Sequence, residues 1–540
     1  MNEGNGAGQV GVSGSNISYG GTLVATFTGG GDGSTPLDIT FNANADTAAV
    51  QAVMRRVAYR VMGEDPSTLT RIVRFRLSDG DGGDSNEVTK SLSIIADADV
   101  WVTTTADTAD GDTSSIQALL ADRGADGRIS LREAIIAANN TAGANQIYFN
   151  IPDALVGGAH TIQPTTALPV IADTVVIDAT TEPDFAGTPI VEIDGSLAGA
   201  GQSGLELGAG SDASTIRGLS INGFASGLGI EITSSSNHLI AGNYVGLRPD
   251  GVTQGLLNYG IYINTGTISG ITIGGSAPAD RNVISASNGI GVLGGSTTGT
   301  TIQGNYIGTD ATGTLDRGGS YGIFVSGATG NTIGGAGAGE GNVISGGTTG
   351  VFFDINVTGS VIRGNLIGTD ASGTGALGNS LAGVRVIGSN NVVGGDALGD
   401  GNLIAFNGTG VLLNAAGAAD NAILGNSIRD NTGPGIDLAG GGITYNDADD
   451  ADAGANGLLN FPVLTRVDQV GSDLDVSFAV DLPAGTYRIE FFENPGGGDG
   501  SGFGEGQILL GTATVTTTGA AGYENFLHAD TRHSARIHPP

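Results

Sequence analysis

The chain has no cysteine in 540 residues. That removes disulfide staples and thiolate-ligated zinc or iron–sulfur centres from consideration. Basic residues are scarce as well. Lys and Arg together number 21 against 54 acidic residues, Lys90 is the single lysine, and the formal net charge is −33. Nucleic-acid binding relies on Lys and Arg displacing counterions, so a nucleic-acid partner is not expected, nor is an anionic membrane surface. Neither end carries an apolar run long enough to span a bilayer, so membrane insertion is not expected either. The start, Met1-Asn2-Glu3-Gly4, has no basic region or apolar core and does not read as a signal peptide. A charge this acidic suits a soluble surface protein or a binder of divalent cations.

What is abundant is glycine, 97 residues of it, and it falls in repeats. IQGNYIGTDATGT (302–314) and IRGNLIGTDASGT (362–374) are near copies 60 residues apart. TIGGAGAGEGNVIS (332–345) and VVGGDALGDGNLIA (392–405) are a second pair at the same offset. Each long repeat splits into two halves, and three columns run through the halves. The first is Gly followed by apolar–x–apolar, beginning at Gly204, Gly229, Gly260, Gly289, Gly322, Gly350, Gly383, Gly410 and Gly435. The second is Ile/Val–x–Gly, at Ile216, Ile240, Ile273, Ile302, Ile333, Ile362, Val393 and Ile423. The third is Asn–x–apolar, at Asn243, Asn282, Asn305, Asn342, Asn365, Asn402 and Asn426.

Three short alternating strands per half-repeat describe a coil whose turns pair as parallel strands and share one core. The fold expected is all-β: a right-handed parallel β-helix over 151–446, with flanking β-sandwich modules. Glycine at the head of each first-column strand is expected to supply a positive φ at a corner, and Asn to tolerate the same region. Seven successive Asn at one corner are further expected to form a buried ladder, each amide bonding the next.

The raw strand edges at the end of such a stack need a cover. Residues 99–150 provide a strand and a helix, SLREAIIAANN, opened by the capping-box pattern Ser130–Glu133. Leu131, Ala134, Ile135 and Ala138 share a face of it, placed to lid the core. The whole segment, ISLREAIIAANNTAGANQIYFNIP, resembles the CSLREA-type capping segment of bacterial surface and secreted proteins with pectin-lyase-like β-helices. The GNxIGTDxxGT and GNVIS repeats are similar to theirs too, over roughly residues 100–465. One departure is Ile129, where the family often has Cys. The resemblance implies a right-handed coil and an extracellular or cell-surface setting. It implies no single activity.

Residues 1–98 carry LVATFTG, LDITFNAN, a helix capped by Asp46, and a hairpin-like pair, IVRFRLSDGDGGDSN and VTKSLSII. They resemble the cadherin-like modules strung along large bacterial adhesins, in keeping with a piece of a longer polypeptide. Residues 447–518 hold an acidic turn and a small β-sandwich (LDVSFAV, TYRIEFF, ILLGTATVTTT). Residues 519–540 form an atypical tail, with three of the chain's five histidines.

The middle position of the first column should point outward. It reads Glu206, Glu231, Tyr262, Gly291, Phe324, Phe352, Arg385, Leu412, Asp437. Tyr262, Phe324, Phe352 and Arg385 make a candidate sugar platform, because aromatic faces stack on apolar sugar faces. Loops folding over the rings are the competing expectation. Glu206 and Glu231 sit one turn apart, near the spacing of retaining glycosidase carboxylates; two solvated surface glutamates are the bland alternative. Asp310 and Asp370 lie two turns apart, too far to share an ion, and are expected in Asx turns. Two acidic loops are candidate Ca²⁺ sites: Asp447, Asp449, Asp450 and Asp452, and Asp79, Asp81 and Asp84. The chain thus reads as an adhesin-like surface protein binding glycans or another cell-surface ligand. A polysaccharide lyase, hydrolase or epimerase, or a purely structural spacer, are the alternatives.

Overall fold

The computed structural model describes residues 4, 6, 8–30, 35–57, 71–76, 78, 88–92, 98–264, 266–471, 473–497, 503 and 505–530. It divides into two units, 1–96 and 97–540.

The larger unit is a right-handed parallel β-helix. Three parallel sheets of eleven, ten and nine strands run its length, and the chain visits them in rotation. Right-handed crossover is the hand that twisted strands impose on parallel connections. The nine-stranded sheet takes the first sequence column without a skip, from Ser203–Leu207 to Ile436–Asp437. The second column forms most of the eleven-stranded sheet, and the third most of the ten-stranded one. The inward pairs Ile261/Ile263, Ile323/Val325 and Val384/Val386 are all fully buried, as the alternation predicts.

The Asn ladder is complete. From Asn243 to Asn402, each side-chain Nδ2 donates to the Oδ1 of the next Asn at 2.8–3.0 Å. Each backbone N–H donates to the same oxygen at 3.0–3.2 Å. A second Nδ2 bond reaches a backbone carbonyl, such as Ile302 O from Asn342, so both amide hydrogens are satisfied.

The expected role of the first-column glycines is corrected. None of Gly204 to Gly435 in that column has a positive φ. A Cβ there would meet the carbonyl oxygen of the next column glycine, at 2.5 Å for Gly229 and 2.4 Å for Gly289. Close inward packing, rather than backbone handedness, excludes a side chain. Nor do the ladder asparagines adopt the left-handed region. That conformation falls on Gly242, Gly304, Gly364 and Gly425, at φ +63 to +69°, one residue before each ladder Asn of alternate turns.

The capping box forms at helix Leu131–Asn139: Ser130 N donates to Glu133 Oε2 at 2.8 Å and Glu133 N to Ser130 Oγ at 3.2 Å. Leu131, Ala134, Ile135 and Ala138 are buried in the coil's core cluster. The first strand of the coil is Asp99–Val102, which pairs with Asn145–Phe149 around the helix.

At the other end, Val463–Val470, Asp473–Val480 and Glu524–Asp530 form an antiparallel sheet, and Gly485–Glu493 pairs with Ile508–Thr517. Phe478, Val480, Ile489 and Val515 share their core. The last of these strands comes from the segment set apart as a tail. Its His528 ring stacks on Phe491 at 5.2 Å.

The smaller unit has a four-stranded antiparallel sheet, Val10–Ser13 to Asp38–Phe41. Its helix, Thr47–Arg55, is capped by Asp46 Oδ1, which accepts from Ala49 N at 2.8 Å. Arg71–Phe75 and Val88–Leu92 pair antiparallel.

Candidate functional site

The outer face of the nine-stranded sheet gathers the aromatic rings Tyr259, Tyr262, Tyr321, Phe324 and Phe352. Two outward columns contribute, because strict alternation breaks at the column glycine: the glycine and the apolar residue after it both face inward, leaving the residues on either side of that pair outward. One column is the expected stripe. The other is the residue just before each column glycine. In register it runs Leu228, Tyr259, Asn288, Tyr321, Thr349. Tyr259 and Tyr262 lie 4.9 Å apart. Tyr321, Phe324 and Phe352 are mutually packed at 5.3–5.6 Å. Gly291 stands between the two groups, and a Cβ there would meet both Tyr259 and Tyr262 at 2.9 Å. The missing side chain makes the room the tyrosine rings occupy.

Tyr262, Phe324 and Arg385 are partly exposed, whereas Phe352 is only 7% exposed. The neighbouring rings and the Arg385 guanidinium, 4.5 Å above its centroid, pack against it. Arg385 Nε also donates to Asn414 Oδ1 at 3.1 Å. At the other end of the stripe Glu206 and Glu231 are in register on adjacent strands. Glu231 accepts from Ser203 Oγ at 2.8 Å and from Asn264 Nδ2 at 3.2 Å, and Glu206 from Thr233 Oγ1 at 3.2 Å. Burial, then the nearby Glu231 carboxylate, pushes the Tyr262 hydroxyl above its ordinary pKa. The face therefore offers rings in the middle, carboxylates and amides at one end, and a guanidinium at the other.

Asp310 and Asp370 are Asx-turn residues, as expected. Asp310 Oδ1 accepts from Thr314 N and Leu315 N, and Asp370 Oδ1 from Ser372 N and Gly375 N. Hydrogen bonding holds both carboxyls below the ordinary carboxylate range against the effect of burial. Their loops also stack: Ala311 N donates to Gly251 O at 2.8 Å and Ala371 N to Gly313 O at 2.9 Å.

In the acidic turn, Asp447, Asp450 and Asp452 each bring a carboxylate oxygen within 4.8 Å of the others. Asp449 turns away, and its Oδ1 accepts from Gly522 N at 3.1 Å. Asp450 Oδ1 accepts from Asn460 N at 2.7 Å. Burial, together with Asp447, Asp452 and Asp481, raises the Asp450 pKa against that bond. Hard carboxylate oxygens at this spacing fit a calcium ion's donor preference. Asp79, Asp81 and Asp84 lie outside the described residues.

Sequence reasoning missed two features. Tyr259 and Tyr321 were legible as aromatics directly preceding a column glycine. Nothing in the repeat pointed to a polar cluster on the outer face of the ten-stranded sheet. There Glu192 accepts from Thr161 Oγ1 at 2.7 Å and Asn222 Nδ2 at 2.9 Å, and Asp194 accepts from Gln163 Nε2 at 3.1 Å. Arg248 stands 3.7 and 3.8 Å from the two carboxylates.

No protein-family model matches the chain, and no curated protein matches it in sequence. A crystal structure of full-length tailspike protein 2 from Escherichia coli O157:H7 bacteriophage CAB120 aligns at 11% identity, over 90% of this chain and 70% of that one, with a TM-score of 0.28. A likeness that low bears on neither fold nor function; the fold rests on the strand registers themselves. Among the described residues, no helix is long and apolar enough to cross a membrane.

Proposed function

We propose that this chain is an extracellular surface protein of adhesin type that binds glycans along the outer face of its nine-stranded sheet. The observation that carries this reading is the run Tyr259, Tyr262, Tyr321, Phe324 and Phe352 on an outward sheet face, where the core does not need rings. Aromatic planes take the apolar faces of pyranose rings, and flanking carboxylates, amides and a guanidinium take hydroxyls. The resemblance of 129–152 to CSLREA-type capping segments, and of 1–98 to cadherin-like adhesin modules, supports the exported setting. Glycan-array binding by the whole chain, weakened at least about tenfold (about 1.4 kcal/mol) by Phe324→Ala or Tyr262→Ala, is the expected result. Binding unchanged in both variants sinks it.

One observation favours a second reading, polysaccharide cleavage: Glu206 and Glu231 stand side by side at the end of the ring cluster. Reducing-end or unsaturated products from a polysaccharide panel, lost in Glu231→Gln, would replace binding with catalysis. The acidic turn is proposed in addition as a Ca²⁺ site that stiffens the joint between coil and C-terminal strands. Asp447, Asp450 and Asp452 would hold the ion.

A further inference from the structure

We propose that the first rungs of the coil carry a second saccharide site, on the outer face of the eleven-stranded sheet, built on Trp101 and Tyr148 and taking a neutral oligosaccharide. It lies on a different sheet from the ring cluster above and does not depend on that reading.

The site is a register column. Trp101 pairs with Tyr148, Tyr148 with Asp178, and Asp178 with Arg217. Three rungs separate the ends, about 14 Å at roughly 4.8 Å per rung, a span that an oligosaccharide fills and a single sugar does not. Trp101 is the chain's one tryptophan, and it is 39% exposed. The core beneath is already filled by Val100, Val102, Ile147 and Phe149, all fully buried. The indole is therefore not needed for packing there. Its ring centroid lies 5.0 Å from that of Tyr148, tilted by 52°, so the two planes form a shallow aromatic corner rather than a sealed stack.

Polar groups border the rings on the same face. Gln146 Oε1 accepts from the Tyr148 hydroxyl at 3.1 Å. Asp178 Oδ1 is taken by Thr180 N and Oγ1, and among the described residues nothing donates to its Oδ2. Arg217 is the telling member. Its side chain is 34% exposed, its Nε stops 3.8 Å from Asp178, and that buried Nε has no hydrogen-bond partner. The buried Nε is out of a ligand's reach, but the exposed part of the guanidinium makes no hydrogen bond among the described residues and can donate to sugar hydroxyls. Those hydroxyls can donate in turn to Asp178, and the apolar face of a pyranose covers the indole. Charge narrows the class. Asp99 and Asp178 against Arg217 leave the patch at −1, within a chain of −33, so uronates and sulfated sugars are repelled.

The single tryptophan makes the test direct, because intrinsic fluorescence of the full chain reports this site alone. Acrylamide should quench the ligand-free emission strongly. Titration with neutral gluco-, manno- and galacto-oligosaccharides should give a saturable emission change with at least one series and none with oligogalacturonate. Arg217→Ala and Tyr148→Ala should weaken that binding at least tenfold at unchanged circular dichroism, and Phe324→Ala should leave it intact. Read by calorimetry, Trp101→Phe should retain binding and Trp101→Ala should lose it. An unquenchable tryptophan, covered by another part of the polypeptide, overturns the proposal. So does a flat titration across the neutral panel, or a response confined to the uronate.

Discussion

Two regions of this chain crowd identical polar side chains together, and they solve the problem differently. At the interior corner seven asparagines stack with their amides buried; in the acidic turn three aspartates converge within 4.8 Å. Asn342 shows why the first works. Its Oδ1 accepts both N–H groups of Asn305, and its Nδ2 donates to Asn365 Oδ1 and Ile302 O. A carboxamide carries both donor and acceptor, so a column of them is self-complementary and can be extended without limit. A carboxylate only accepts. Asp447 draws on Ala451 N and Asp452 N, and Asp450 on Asn460 N, but no ionised carboxylate can donate to another. The ladder is complete as it stands, whereas the turn wants a cation or water.

Turning one region into the other is the harshest test of that contrast. Asn342→Asp keeps the shape and replaces donor by acceptor, setting oxygen against Asn365 Oδ1 and Ile302 O in a dry interior. It should cost about 3–5 kcal/mol, the range for an uncompensated buried charge. Asn342→Ala, which leaves neighbours unpaired without adding charge, should cost about 1–3 kcal/mol. Denaturant midpoints at constant slope read both. An Asp variant no worse than the Ala variant would show that the ladder's donors contribute little.

A buried titratable residue at such a corner gives the next effect. His238 occupies a corner column that also holds Thr300, Asn331, Ser360, Asn391 and Asn421, but buried Ile271 stands between it and Thr300 and separates it from their ladder. Its Nδ1 accepts from Ser214 N at 3.2 Å, the part an Asn Oδ1 plays elsewhere, and its Nε2 meets Ser235 Oγ at 2.8 Å. Burial lowers its pKa to about 4 from 6.5. The folded state therefore resists the proton that the unfolded state accepts. Its contribution is fully present above pH 6.5 and is lost as pH falls toward 4, roughly 3 kcal/mol over that window at 1.36 kcal/mol per unit. His238→Asn retains the acceptor and cannot charge. It should match the parent at pH 7 and be the more stable at pH 4.5; equal losses in parent and variant refute the assignment.

That column explains how far the sequence could be read. The ladder from Asn243 to Asn426 was legible because one residue type recurs at one place in every turn. The second ladder hides in a mixture of residue types: Thr300, Asn331, Ser360, Asn391, Asn421. It closes on Asn456 beyond the coil. A third, Asn379–Asn407–Asn431, exists only in the last turns and ends on the Glu505 carboxylate, 74 residues further along. Repetition also misled. A glycine at the same place in nine turns looks like a turn former, yet at Gly229 or Gly289 the requirement is inter-rung distance, which only the stacked coil reveals. Outward residues are freed from the repeat, so Tyr262, Phe324 and Phe352 could be named from alternation. Tyr259 and Tyr321 were legible only by reading the residue before each column glycine as well, and the Glu192–Asp194–Arg248 cluster required the fold.

The remaining effect is set by ion concentration and lies at the acidic turn, where calcium would supply what the carboxylates cannot supply one another. Asp450 has its pKa raised, by burial first and then by Asp447, Asp452 and Asp481 against the Asn460 bond. A carboxyl whose folded pKa lies above its unfolded value disfavours folding once it ionises, so without a cation stability should fall as pH rises through that window. An ion bound only to the folded state reverses this, by about 2.7 kcal/mol at a hundredfold excess over its dissociation constant. Ca²⁺ at pH 7 should therefore raise the melting temperature, and progressively less as pH drops toward the Asp450 pKa, because protons and calcium compete for the same oxygens. Mg²⁺ should do less, since it sheds its waters reluctantly. Asp450→Asn with Asp452→Asn removes two of the three converging carboxylates. The double variant should be more stable than the parent in chelator and less responsive to Ca²⁺. Ionic strength must be matched throughout, because any salt screens a chain of −33. Equal small shifts with Ca²⁺ and Mg²⁺, identical in parent and variant, would show that water alone satisfies the turn.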